Sequence, residues 1–133
     1  VDYFLKALSD NKRIFRECRI KKINVSGYVD NVIMFNGKYL PVEVKINIKS
    51  EADLFGQLEK YCNSDAIFTG TGSTNALNHE RIYHHNVLVI DTESVYLYDD
   101  NTKELKQVCK LESVREIKDI AQVRNIIIEL LNK

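Results

Sequence analysis

Asn36-Gly37 stands between two runs of strand-forming residues, 28–35 and 39–46, and no other feature of the chain restricts its fold as sharply. The dipeptide supplies the two residues most tolerant of positive φ, as a tight turn between twisted antiparallel strands requires. The second run alternates, with Leu40, Val42, Val44 and Ile46 on one face and Pro41, Glu43 and Lys45 on the other, the period of a strand that buries one side. Glu43 and Lys45 therefore project together, and pairing across the turn brings Asp30 within reach of Glu43. Two carboxylates a few ångströms apart repel, so one pKa rises unless a cation lies between them. Their hard oxygens suit Mg²⁺ or Mn²⁺.

The next segment, Ser50-Glu51-Ala52-Asp53, is a capping-box pattern that opens a helix over residues 51–62. Leu54, Gln57, Leu58 and Tyr61 fall on one stripe of it. Gln57 is the odd member, because a buried amide without partners costs about 1–3 kcal/mol. A stripe facing the sheet beside Glu43 and Lys45 gives it those partners.

The order Val29-Asp30, Glu43-Val44-Lys45, then Gln57-x-x-x-Tyr61 resembles the PD-(D/E)XK nuclease superfamily. Its helical element is similar to that of RecB-like nucleases and of the nuclease domains of type I restriction motor subunits. The matching stretch runs over residues 17–61, with Val29 where the family usually has proline. The resemblance implies an α/β fold, a mixed central sheet flanked by helices and restriction-endonuclease-like, to which this chain adds a C-terminal hairpin and helix. It further implies a Mg²⁺- or Mn²⁺-dependent deoxyribonuclease that hydrolyses phosphodiester bonds. In that scheme Asp30, Glu43 and the Val44 carbonyl hold the metal, and Glu17, at the end of a first helix, adds an outer or second-metal contact. Lys45 orients or activates the attacking water, Gln57 steadies the Lys45 and metal-water geometry, and Tyr61 packs or touches the DNA backbone.

Such modules are often fused to helicase or motor domains, and a chain that starts at Val1 reads as one domain excised from a helicase-nuclease, restriction or recombination system. Two alternatives belong to the same resemblance. One is a stand-alone nuclease of the junction-resolvase kind, working as a homodimer. The other is a non-catalytic module that binds DNA or protein on the same fold.

The length of 133 residues bounds a single domain over 1–133, and 44% hydrophobic with 29% charged residues is ordinary for a globular chain. No apolar run of about 18 residues and no signal-peptide pattern is present, so neither membrane insertion nor secretion is indicated. Cys18, Cys62 and Cys109 lack metal-binding spacing and read as reduced thiols of a cytoplasmic protein. Net charge is zero, which argues against an indiscriminate polyanion binder. Locally, however, Lys12, Arg13, Arg16, Arg19, Lys21 and Lys22 cluster, and Lys38, Lys45 and Lys49 flank the candidate site. Arg16, Arg19 and Lys49 are accordingly expected DNA contacts. His79, His84 and His85 match no zinc signature and belong on the surface.

The remaining periodicities predict a helix or helix pair over 2–18, with Ser9-Asp10-Asn11 as a break or new N-cap, strands over 19–25 and 65–69, and a polar loop over 70–85. The 65–69 strand should run parallel to 39–46. A hairpin over 86–98, a returning segment to 108 and an apolar helix from about 113 complete the chain. Ile117, Ile120, Ala121, Ile127, Ile128 and Leu131 mark the apolar stripe of that helix.

Overall fold

β1 is Ile14–Lys22, β2 is Val25–Phe35 and β3 is Lys38–Val44. β2 and β3 pair antiparallel from Phe35↔Lys38 to Asn31↔Val42, turning at Asn36 and Gly37 with φ of 50° and 82°. Both turn residues lie in the left-handed region, which asparagine tolerates and glycine enters freely. The computed structural model describes residues 2–22, 25–45 and 51–132, and in it this hairpin anchors a seven-stranded mixed sheet. The other strands are β4 at Ala66–Ile67, β5 at Asn86–Ile90, β6 at Ser94–Asp99 and β7 at Glu104–Lys110. The order across the sheet is β4-β1-β2-β3-β5-β6-β7. Every neighbouring pair is antiparallel except β3 and β5, which run parallel from Val42↔Leu88 to Val44↔Ile90.

The described residues include three α-helices, α1 at Asp2–Leu8, α2 at Glu51–Cys62 and α3 at Ile117–Leu131. α1 and α3 bury Phe4, Leu5, Leu8, Val123 and Ile127 against one face of the sheet, where they meet Leu40, Val42, Leu88 and Ile90. α2 buries Leu54, Leu58 and Tyr61 against the other face, on Cys18, Ile20, Val29, Val87 and Val89. Full burial of one such aliphatic side chain contributes about 1.5–3 kcal/mol, so the central strands are held from both sides. The expected α/β architecture with a mixed sheet flanked by helices is present. β3 differs from the one-sided strand its alternation predicts, because Pro41 and Glu43 are buried beneath α2 as firmly as Leu40 and Val42 are on the other side.

Three expected elements are corrected. The helix or helix pair expected over 2–18 ends at Leu8, because Asn11 and Lys12 take φ of 49° and 56° and the chain enters β1 at Ile14. Residues 65–69 do not pair with β3. They supply the two-residue β4, antiparallel to β1 through Ile20↔Ile67, and the parallel partner of β3 is β5. The chain leaving α2 instead reaches the outer edge of β1, where Asp65 N–H donates to the Lys21 carbonyl at 2.7 Å. In α3 the apolar stripe is only partly used, with Val123 and Ile127 buried and Ile117 88% exposed. No described helix is long and apolar enough to cross a membrane.

Alternation also breaks inside β1 and β2. Phe15 and Cys18, and likewise Val32 and Val29, all pack toward α2 although each pair is three residues apart. That is possible only where the strand turns over between them. Glu17, with φ 47°, is where β1 does so, one position before the Cys18↔Val29 rung.

Candidate functional site: a buried carboxylate pair

One rung beyond Asn31↔Val42 the hairpin register would set Asp30 opposite Glu43. The backbone ladder stops at that point, and the Asp30 carboxylate takes over, accepting the Val44 N–H at 2.9 Å. The side chain of Asp30 is thereby turned along the sheet toward β3, and the two acids are brought into hydrogen-bonding contact. A non-glycine residue in the left-handed region costs about 1–3 kcal/mol, and Glu17 adopts that conformation in β1 directly across from this rung.

Glu43 is 2% exposed, and its Oε2 has no hydrogen-bond partner among the described residues. Burial, then the hydrogen bond shared with Asp30, push its carboxyl up to about 8 against the hydrogen bond of Tyr61 and the charge of Lys45. At neutral pH the metal-free pair therefore holds a proton on Glu43. A cation placed there would compete with that proton for the same carboxylate.

α2 supplies the wall. Tyr61, 3% exposed, donates its hydroxyl proton to the Tyr28 carbonyl at 3.0 Å and accepts the Gln57 Nε2–H at 2.8 Å. Burial, then the neighbouring Glu43, raise the Tyr61 hydroxyl above its ordinary range. That hydroxyl has one proton and two acceptors in reach, the Tyr28 carbonyl and Glu43, so its bonding depends on whether Glu43 is protonated. Gln57 is half-buried and faces the sheet as the stripe predicts, but the partner it finds is Tyr61 rather than Lys45.

Lys45 is half-buried, and its positive charge is felt by Glu43. Its N–H donates to the Ile90 carbonyl at 2.8 Å, continuing the β3–β5 ladder past the last residue of β3. The structure thus assembles Asp30, Glu43, Lys45, Gln57 and Tyr61 around one end of the β2–β3 hairpin.

The other expected site residues fare differently. Glu17 belongs to β1, not to a first helix, and is exposed. It joins no metal-holding group with Asp30 and Glu43 among the described residues. Tyr61, expected to pack or to touch DNA, is 3% exposed and packs in the α2-side core. Arg16 is ion-paired with Asp2 of α1. The Arg19 guanidinium lies over the Phe68 ring, 4.0 Å from its centroid. Lys49, Ile46 and the Ser50 cap lie outside the described residues. Cys18 is buried and Cys62 and Cys109 are partly so, all three as free thiols. His79 and His84 face each other with ring centroids 4.2 Å apart, on the surface side of the 70–85 segment. Tyr28 escaped the sequence reading as a member of the site, since a backbone carbonyl that serves as acceptor has no residue signature.

The donor chemistry fits a hard divalent cation. Asp30, Glu43 and the Val44 carbonyl offer oxygens only, and the orphaned Oε2 is a buried lone-pair site with no partner among the described residues. No cluster of three or more His, Cys, Asp or Glu side chains that could hold a metal occurs among the described residues. Water or phosphate oxygens would have to complete the shell, which Mg²⁺ favours. Comparison of the chain with protein-family models, with curated proteins and with solved structures finds no match.

Proposed function

We propose that this chain is a divalent-metal-dependent DNA nuclease domain of the PD-(D/E)XK kind, on a restriction-endonuclease-like core made by β1, β2, β3, α2 and β5. The observation that carries the reading is Glu43: a carboxylate buried to 2%, orphaned at Oε2, pressed against Asp30 and attended by Lys45. Burying Glu43 against a second, half-buried carboxylate without a cation is costly, and a fold that spends stability in this way at the end of a hairpin does so at a site.

Asp30, Glu43 and the Val44 carbonyl would hold Mg²⁺ or Mn²⁺. When bound, the cation would stabilise charge on the phosphate and lower the pKa of water beside it. Lys45 places an ammonium at the same end of β3, where it offsets phosphate charge and orients water. Gln57 and Tyr61 are positioning residues that fix Glu43 from the α2 side. The family resemblance makes a motor, restriction or recombination assembly the natural setting for such a domain.

One observation favours a second reading, a non-catalytic DNA-binding or protein-interaction module. The acids lie against each other, with the Glu43 carboxyl held protonated by burial and by Asp30, and they lack a third carboxylate among the described residues. The two readings separate on a cleavage assay with linear, circular single-stranded and supercoiled DNA in Mg²⁺ or Mn²⁺, alongside calorimetric titration of Mn²⁺. Cleavage abolished in both Glu43→Ala and Lys45→Ala, with Mn²⁺ binding lost in Glu43→Ala and Asp30→Ala, supports the nuclease. Absence of both cleavage and Mn²⁺ binding in the parent overturns it.

A further inference from the structure

Tyr28 is a large exposed aromatic on the sheet. Tyr28 of β2 is the direct cross-strand partner of Arg19 in β1, and Phe68, just past β4, donates its N–H to the Arg19 carbonyl at 2.8 Å. The three side chains form a row across adjacent strands: Phe68 lies under the Arg19 guanidinium at 4.0 Å, and Tyr28 is on the far side. Cys18, Ile20, Val29 and Ile67 alternate with them and point into the α2-side core, so the row faces the other way. α1 reaches β1 at Arg16 through Asp2, but Tyr28 remains 52% exposed. Lys21, two residues beyond Arg19, adds an exposed cation to the same face.

The row also has a route to the carboxylates. Tyr28 is two residues from Asp30, and its carbonyl is the acceptor of the Tyr61 hydroxyl, which neighbours Glu43.

We infer that Phe68, Arg19 and Tyr28 form a stacking platform for the bases of a single nucleic-acid strand, which continues along β2 toward Asp30 and Glu43. This rests on the nuclease reading for its destination, though not for its binding. Exposed tyrosine and guanidinium surfaces next to lysine are what unpaired bases and their phosphates require: aromatic rings stack on any base, and the cations neutralise the backbone. A duplex has its bases already stacked and offers the row only phosphates.

The test is fluorescence anisotropy with labelled oligothymidylate and with a duplex of equal length, in chelator, so that binding is read without cleavage. Tyr28→Ala should weaken oligothymidylate binding by roughly 5- to 100-fold, Tyr28→Phe should restore it, and duplex binding should change less than about twofold. Urea unfolding confirms that the exposed substitution leaves the fold intact. Parent-like binding by Tyr28→Ala, an equal loss on duplex and single strand, or no oligothymidylate binding by the parent overturns the platform. A parent that cleaves while Tyr28→Ala binds normally defeats the platform and leaves the nuclease standing. Tyr28-dependent binding by a parent that neither cleaves nor binds Mn²⁺ does the reverse.

Discussion

Tyr61 joins what Gln57, Tyr28 and Glu43 do separately, and it does so through one hydroxyl. Tyr61→Phe keeps the packed ring but removes that oxygen, leaving the Tyr28 carbonyl and the Gln57 amide without their partner. Urea unfolding should show a loss of about 1–3 kcal/mol. Glu43 also loses a hydrogen bond that favours its ionised form, so its carboxyl should titrate higher still, read by carboxyl-carbon NMR. At this scale the sequence was informative where function depends on side-chain type and spacing, as for Asp30, Glu43, Lys45 and Gln57. It was silent where function depends on backbone. The φ of 47° at Glu17 reverses the facing of β1, and glutamate has no preference that announces such a conformation.

Among the elements, the β2–β3 turn is fastened from outside. The Asp10 carboxylate accepts the N–H groups of Asn36 and Gly37 at 3.2 and 2.9 Å and also pairs with Arg124 of α3 at 3.1 Å. The backbone N–H groups and the Arg124 guanidinium hold its carboxyl below the usual carboxylate range, overcoming the opposing effect of burial. Asp10→Ala unties turn, N-terminus and α3 together and should cost about 1–3 kcal/mol by chemical denaturation. In α3, Ile127→Ala should cost about 2–5 kcal/mol, as for any fully buried aliphatic. Ile117→Ser at the same helix's 88% exposed first residue should stay within about 0.5 kcal/mol of the parent. The hairpin, α2 and β5–β6 were legible because their signals are local, a turn dipeptide or one run of period 2 or 3.6. The partner of β4 was not, because two residues carry no period.

For the molecule as a whole, the buried pair sets a pH dependence of stability. Glu43 in the fold holds its proton up to about 8, against 4.5 for an ordinary glutamate, so the folded state binds the proton more tightly than the unfolded chain. That contribution is complete below about 4.5, declines as pH rises and is gone above about 8. Relative to Glu43→Gln, the metal-free parent should lose on the order of 3 kcal/mol of unfolding free energy between mildly acidic and alkaline pH. Mn²⁺ should recover much of that loss in the parent and none in the variant. Calorimetry in buffers of different ionisation enthalpy should show a proton released as Mn²⁺ binds near neutrality.

Every side chain in the proposed chemistry comes from the chain before Cys62, whereas β5, β6, β7 and α3 contribute only packing. The two portions share one sheet through the parallel β3–β5 seam, and its last rung is the hydrogen bond from Lys45 N–H to the Ile90 carbonyl. A force applied to the later strands, whether by a neighbouring domain or by a substitution in β5, would therefore reach the site through the backbone of β3, at Glu43 through its rung with Val89 and at Lys45 through its bond to Ile90.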